Sequence, residues 1–224
     1  MKRGKFIVID GPDGCGKSSQ VKLLSRYLRK VGHSILVVRD PGSTSISEGI
    51  RKILLDPYYN KMTPLTELFL YFASRAQLVD EILKPALKEN KVVVSDRFLS
   101  STIVYQGYAG KIGEDNVKEI WRIMTGGFLP DMTIILDVPP EEGFERIKNS
   151  RSSVSNSLKS SFIKGGIKGG LDRMERKALL FHKKVREGFI RLAKFDKKKY
   201  QVIDGTQSIS DTHKEIIKIV KNVL

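Results

Sequence analysis

The sequence has 224 residues, of which 40% are hydrophobic and 29% are charged. This length and composition predict one well-packed domain, residues 1–224, and leave too little chain for two large domains. No apolar run approaches the roughly 18 residues of a membrane-spanning helix, and the first residues, MKRGKF, do not form a secretory signal. We therefore expect a cytoplasmic protein that has no membrane partner.

The charge of the chain is strongly positive. Lys and Arg number 40 against 25 Asp and Glu, a net charge of +15, and clustered cations are typical of proteins that bind nucleic acid. Here the basic residues are spread over most segments, and no aromatic residues alternate with them as a single-strand binding surface requires. We expect no specific nucleic-acid partner. The single cysteine excludes an internal disulfide, and the three widely spaced histidines argue against a zinc site.

The first predicted strand, residues 5–10, leads into a glycine-rich turn. Residues 11–18, GPDGCGKS, match the phosphate-loop pattern G-x-x-x-x-G-K-[ST], and an amphipathic helix pattern follows. In such a loop the backbone N–H groups and the helix N-terminus bind phosphates, Lys17 reaches the outer phosphates and the Ser18 hydroxyl coordinates Mg²⁺. We expect the whole loop to bind nucleotide, that is Gly11, Pro12, Asp13, Gly14, Cys15, Gly16, Lys17, Ser18 and Ser19.

Strand and helix patterns alternate along the rest of the chain. The remaining predicted strands are rich in Val and Ile, which is typical of strands buried on both faces, and cover residues 34–40, 91–96, 132–138 and 200–205. Predicted helices cover residues 45–55, 64–88, 113–124, 140–149, 170–194 and 210–223. This alternation predicts an α/β fold of three layers, in which helices flank a five-stranded, mainly parallel sheet.

Acidic residues stand at the ends of four predicted strands, at Asp10, Asp40, Asp96 and Asp137. Open parallel sheets bind ligands at the carboxyl ends of their strands. We therefore expect these acids to gather at the ligand-binding edge.

Residues 150–170 differ from the rest of the chain. They are rich in Ser, Lys and Gly and have almost no apolar period, which predicts a mobile surface loop. A loop of this length inside a compact domain is usually either disordered or a functional lid.

Five further motifs follow the phosphate loop in a fixed order. They are RDPGST, FLYFASRAQLVDEILKPAL, VVVSDRFLSSTIVYQGYAG, LPDMTIILDVPPEEGFERI and LDRMERK. Together they resemble thymidylate kinase of the bacterial type over about residues 5–205. The resemblance implies a P-loop NTPase fold with a lid segment, and transfer of the γ-phosphoryl group of ATP, with Mg²⁺, to thymidine monophosphate (dTMP) for dTTP synthesis. It also implies a homodimer.

The resemblance assigns the phosphate end of the acceptor site. Arg97, from the family's Asp-Arg-aromatic motif, would grip the acceptor phosphate with its planar guanidinium. Asp96 would organise Mg²⁺ through water or orient Arg97, unless it is a strand-end acid that pairs locally. Asp13 matches a loop position near the acceptor's sugar and the metal.

A second set would hold the base. Tyr71 lies four residues before Arg75 and so on the same helical face, where it would stack on thymine while Arg75 bonds a carbonyl of the ring. The adjacent Phe72 is the other candidate for the stacking ring, and either ring could instead belong to the core.

Further candidates for acceptor binding come from neighbouring motifs. Thr102, Tyr105 and Gln106 match positions that line the nucleoside pocket, where Tyr105 could close off the 2′ side of the sugar. Arg39 stands in Arg-Asp-Pro-Gly, where the family usually has Arg-Glu-Pro-Gly, and Arg51 could reach the acceptor phosphate or be a solvated helix residue.

The lid region, about residues 148–173, departs most from the family, because residues 152–170 look like an insertion. Some thymidylate kinases carry an arginine at the loop position that is Gly14 here. Because this chain has glycine at that position, Lys17 is the only cation of its loop. Arg151 and Arg173 are therefore the candidate catalytic arginines of a lid that excludes water and brings charge to the phosphoryl group.

Two other functions remain as alternatives to a thymidylate kinase. The protein could be another nucleoside monophosphate kinase, or a phosphate-loop ATPase whose basic surface binds DNA.

Overall fold

The computed structural model describes residues 3–157 and 171–224 of the chain. The predicted insertion, residues 152–170, thus falls largely outside the described residues. The strands are β1 (Phe6–Asp10), β2 (Ile35–Arg39), β3 (Val92–Asp96), β4 (Met132–Asp137) and β5 (Tyr200–Asp204). They pair in the order β2-β3-β1-β4-β5, and every pairing is parallel. The predicted five-stranded sheet is confirmed.

Helices connect the strands. They are α1 (Lys17–Lys30), α2 (Ser45–Leu55), α3 (Pro64–Leu78), α4 (Lys84–Lys88), α5 (Leu99–Thr102), α6 (Glu114–Thr125), α7 (Pro140–Ser157), α8 (Leu179–Phe195) and α9 (Ile209–Lys221). A π-helical segment, Val79–Leu83, joins α3 to α4, and a second one, Ile103–Ala109, continues α5. The predicted helix over residues 64–88 is therefore one helical run with a π-helical turn inside it.

The central strand β1 shows how the sheet receives a layer of helices on each side. Its residues are all buried, and successive side chains point to opposite faces of the sheet. Phe6 and Val8 join a core with side chains of α3, α6 and α8. Ile7 and Ile9 join a second core with α1 and α9. This is the three-layer α/β arrangement of P-loop NTPases.

Two predicted boundaries around the lid region are wrong. Residues 150–157, predicted as loop, continue α7 to Ser157, and no glycine or proline interrupts this stretch. The helix predicted from residue 170 begins only at Leu179, because the Asp172 carboxylate accepts the backbone N–H groups of Met174 and Glu175 and closes a turn before it. None of the described helices is long and apolar enough to cross a membrane.

Candidate active site

The phosphate loop lies between β1 and α1 and packs directly on α7. Gly14 has φ +75°, in the left-handed region that favours glycine. A Cβ on Gly14 would lie 2.0 Å from the carbonyl oxygen of Gly143 in α7, and a Cβ on Gly143 would lie 2.3 Å from that of Asp13. The two backbones meet at a pair of glycines, so position 14 has no room for a side chain. The pattern of the loop predicts Gly11 and Gly16, but it carries no signal for Gly143.

The two loop side chains with predicted roles are held in place by protein groups. The Lys17 ammonium donates to the carbonyl oxygens of Gly11, at 3.2 Å, and Pro12, at 2.6 Å. The Ser18 hydroxyl donates to the Asp96 carboxylate at 2.6 Å. The fold thus brings together the two residues predicted to serve the metal, one from the start of α1 and one from the end of β3.

A first cavity, of about 650 Å³, opens on one side of the loop. Gly14, Cys15, Gly16, Lys17, Ser18 and Ser19 line it together with the start of α9. Arg146 of α7 lines it too, and its guanidinium donates to the carbonyl oxygen of Gly205 at 2.9 Å. The motif that contains Arg146 marked the family resemblance, but its spacing gives no sign that α7 passes this cavity.

A second cavity, of about 130 Å³, lies on the other side of the loop, beyond Asp13. It is narrow and lined mainly by polar side chains. The fold gathers most of the predicted acceptor residues in its wall, namely Asp13, Arg51, Tyr71, Arg75, Arg97, Thr102, Tyr105 and Gln106.

Arg97 carries the densest set of contacts at this second cavity. Its backbone has φ +68°, which is unusual for arginine. Its guanidinium donates to the Gly11 carbonyl oxygen, at 3.0 Å, and to the carboxylates of Asp10 and Asp13. Tyr105 also donates to Asp13, at 2.9 Å.

These contacts fix the charge of Asp13. Burial opposes its ionisation, but the charges of Arg97 and Lys17 outweigh burial and hold the pKa of Asp13 below its usual value. The cavity wall therefore contains a carboxylate and a guanidinium that neutralise each other.

Arg75 forms a buried ion pair whose polar atoms are only partly satisfied. Its Nε lies 2.5 Å from the Asp40 carboxylate, and its Nη2 donates to the Thr102 hydroxyl at 2.7 Å. Arg75 Nη1 and Asp40 Oδ1 have no hydrogen-bond partner among the described residues. Burial raises the pKa of Asp40 even though Arg75 opposes the shift. Buried polar atoms without partners are rare, and here both belong to residues that line the second cavity, which is typical of a ligand site.

The prediction for Phe72 needs correction. Phe72 is fully buried, and its ring centroid lies 5.7 Å from that of Trp121 in the core. Tyr71 lines the second cavity instead. Adjacent residues on a helix are about 100° apart, so one ring faces the cavity and the other faces the core.

Three predicted arginines are not brought to either cavity. Arg39 is exposed and pairs with Glu48 at 2.8 Å. Arg151 pairs with Glu175 at 2.7 Å. Arg173 is buried, where it pairs with Glu67 at 2.5 Å and donates to the Leu54 carbonyl oxygen at 2.8 Å. Each of these guanidinium groups has a protein partner away from the phosphate loop.

Comparisons with known proteins identify the family of the chain. The sequence profile of the family described as thymidylate kinase matches residues 9–216. The chain is 46% identical to the thymidylate kinase of Thermoanaerobacter sp. (strain X514) over 222 residues, which is 99% of this chain and 100% of the relative. It is 40% identical to that of Lactobacillus acidophilus over 223 residues, 99% of this chain and 96% of the relative. The crystal structure of thymidylate kinase from Ehrlichia chaffeensis superposes with a TM-score of 0.72 at 28% identity, over 98% of this chain and 99% of that one. The chain therefore belongs to the thymidylate kinase family, the transferases that phosphorylate thymidine monophosphate.

Proposed function

We propose that ATP binds in the first cavity and dTMP in the second, and that the γ-phosphoryl group moves between them at the phosphate loop. One observation supports this assignment above all. Gly14 to Ser19 line the first cavity, whereas their neighbour Asp13 lines the second. The loop that binds phosphates thus separates two cavities, as in-line transfer between two nucleotides requires.

The residues present fit Mg²⁺ as the metal. The described residues contain no cluster of three or more His, Cys, Asp or Glu side chains that could hold an ion. Mg²⁺ needs no such cage, because it keeps several waters and uses one or two protein oxygens together with substrate phosphates. The hydrogen-bonded Ser18 hydroxyl and Asp96 carboxylate offer those oxygens next to the loop. When bound, Mg²⁺ neutralises negative charge on the phosphates.

Lys17 and Arg97 are the proposed cations of the reaction. The Lys17 ammonium would exchange the carbonyl oxygens of Gly11 and Pro12 for oxygens of the outer phosphates of ATP. Arg97 would hold the phosphate of dTMP, because its guanidinium stands in the wall of the second cavity. Their work is to position the two phosphates and to balance the charge between them.

The base end of the second cavity fits thymine. Arg75 Nη1 is a buried donor without a partner among the described residues, and it would bond the O4 carbonyl of the ring. Gln106 lines this cavity and donates its Nε2 to Glu67, so its Oε1 is the end turned away from that carboxylate, and we propose that it accepts the ring N3–H. Cytosine carries an amino group and an unprotonated nitrogen at these two places and would meet the wrong partners. Tyr71 would stack on the ring.

Of the two predicted lid arginines, Arg151 is the better candidate for the transferring phosphoryl group. Its side chain is 39% exposed and pairs with the Glu175 carboxylate, whereas that of Arg173 is only 8% exposed. Exchange of Glu175 for phosphate oxygens is open to Arg151 because its own side chain reaches solvent, whereas both members of the Arg173–Glu67 pair are buried and breaking that pair would leave a buried charge unpaired.

The functional unit is proposed to be a cytoplasmic homodimer of single-domain chains. Exposed apolar side chains on the neighbouring helices α2 and α3 support the dimer, because apolar groups that cluster on one face of a protein are typical of protein–protein interfaces. They are Ile46, Ile53, Leu65 and Phe69. Phe69→Lys is expected to convert a dimer into a monomer in light-scattering measurements of mass.

The experiment that tests the reaction is a substrate panel. Purified protein is incubated with MgATP and, in turn, dTMP, dUMP, dCMP, dAMP and dGMP, and formation of each diphosphate is followed. We expect dTMP to be turned over best, and chelation of Mg²⁺ to stop the reaction. ATP hydrolysis that depends on added DNA, without diphosphate formation, would contradict the proposal.

A further inference from the structure

Glu67 of α3 is a buried carboxylate next to the second cavity but outside its wall, and only 3% of it is exposed. It accepts a hydrogen bond from Gln106 Nε2 at 2.7 Å and pairs with Arg173 Nη1 at 2.5 Å. Lys177 Nζ lies 3.3 Å from the same oxygen that Gln106 contacts. Burial opposes ionisation, but Lys177, Gln106 and Arg173 hold the pKa of Glu67 below its usual value. Glu67 is therefore an ionised carboxylate, which can only accept hydrogen bonds.

The charge of Glu67 fixes the orientation of the Gln106 amide. The two ends of a glutamine amide have nearly the same shape, and rotation by 180° exchanges a donor for an acceptor. Beside a carboxylate only the Nε2 end makes a hydrogen bond, while the Oε1 end would face a like partner. The contact thus leaves Gln106, which lines the second cavity, with a single favourable orientation, in which Oε1 is the end turned away from Glu67.

We propose that Glu67 is a positioning residue that sets the choice of base through Gln106, by holding its amide so that an acceptor meets the N3–H of thymine or uracil. This inference rests on the proposed acceptor site. It adds a specificity determinant that does not itself touch the substrate.

The conservative variant Glu67→Gln has a defined effect in this geometry. Arg173 is the nearer cation and bonds Oε2, so the new amide oxygen is best placed at Oε2 and the new NH₂ group at Oε1. That NH₂ group faces Gln106 and favours the flipped amide, whose Nε2 then points toward the cavity. A donor there opposes the N3–H of thymine and accommodates the bare N3 of cytosine. Arg75 still favours a carbonyl at position 4, so the preference weakens but does not invert.

The test is kcat/KM with MgATP for dTMP, dUMP and dCMP, measured for the wild type and for Glu67→Gln. We expect the dTMP to dCMP ratio to fall at least about tenfold, the worth of one hydrogen bond. Because uracil and thymine present the same hydrogen-bonding groups at N3 and O4, the dTMP to dUMP ratio of kcat/KM in the variant should stay within about twofold of its wild-type value. In a Gln106→Leu background, Glu67→Gln should leave the dTMP to dCMP ratio unchanged, since the amide through which it acts is absent.

A matched control exists in the chain. Gln77 donates to Glu81 at the same distance, 2.7 Å, but on the exposed surface. Glu81→Gln should therefore leave all three substrates unaffected. If Glu67→Gln does not fold, Glu67→Asp keeps the charge for Arg173 and draws the carboxylate back from Gln106 by one methylene, and the same fall in ratio is expected.

The outcomes separate the possibilities. An equal loss of kcat/KM for all three substrates means that Glu67 only supports the fold and overturns the proposal. If Glu67→Gln still lowers the dTMP to dCMP ratio in the Gln106→Leu background, the proposal is also overturned, because Glu67 then acts through a group other than Gln106. A wild type that does not prefer dTMP overturns the proposed function itself, before any variant is compared.

Discussion

The contact between Gly143 and the phosphate loop predicts an unusual result for a substitution that normally stabilises a helix. In Gly143→Ala the new Cβ would lie 2.3 Å from the carbonyl oxygen of Asp13. Carbon and oxygen approach to about 3.3 Å in close contacts, so the loop and α7 must separate by about 1 Å. Such overpacking costs about 1–3 kcal/mol, against a helix-propensity gain of up to about 1 kcal/mol. A shift of about 1 Å at the loop should also lower kcat about 100-fold.

The same change at Gly49 is the control. Gly49 lies in α2, and a Cβ there meets nothing within 4 Å. Gly49→Ala should therefore gain about 1 kcal/mol and keep full activity. Urea unfolding and steady-state kinetics with saturating dTMP measure both quantities. If Gly143→Ala is as stable and as active as Gly49→Ala, the contact between α7 and the loop accommodates the added Cβ and does not position the loop.

Three further predictions concern single side chains. Arg97→Ala should lower kcat/KM for dTMP about 10²–10³-fold while ATP binding, measured by calorimetry, stays nearly intact; an equal loss of both would make Arg97 structural. Phe72→Ala should lower the free energy of unfolding, measured in urea, by about 3–5 kcal/mol because it leaves a cavity in the core. Tyr71→Leu should instead raise the KM for dTMP and change the free energy of unfolding little. The reverse pattern would mean that Phe72 contacts the substrate and Tyr71 belongs to the core. His182 is buried, and burial lowers its pKa below the usual 6.5, so the unfolded chain binds more protons and stability should fall as the pH drops below about 6.5. In His182→Gln this slope should shrink without vanishing, since the pKa of His213 is lowered as well, and an unchanged slope would mean that His182 does not contribute.

The parts of the fold that depend on local sequence were predictable. The loop needs glycines at fixed spacing before Lys17, and strands buried on both faces need runs of Val and Ile, so both leave a pattern in the chain. The boundary at Leu179 was not predictable from helical periodicity, because the Asp172 side chain captures backbone N–H groups and ends the pattern early. The continuation of α7 to Ser157 left no apolar signal either.

The site divides in the same way. Arg97 and Arg75 belong to motifs that mark them, whereas the positions of Glu67, beside the second cavity, and Arg146, in the wall of the first, arise where helices that are distant in sequence pack together. Their roles depend on tertiary packing, and a buried Glu looks like an exposed one in a single sequence. The ion pair between Arg173 and Glu67 also depends on tertiary packing, and no sequence pattern indicates that Arg173 is buried.

In the structure Arg97 already has two carboxylate counter-ions. Its guanidinium is shared between the Asp10 and Asp13 carboxylates, so the second cavity offers little net positive charge before a substrate enters. A phosphate dianion can compete for such a cation by exchange, and an uncharged nucleoside cannot. The proposed acceptor site would therefore discriminate by charge before it discriminates by base, and we expect an unphosphorylated nucleoside to bind poorly, however well its ring fits.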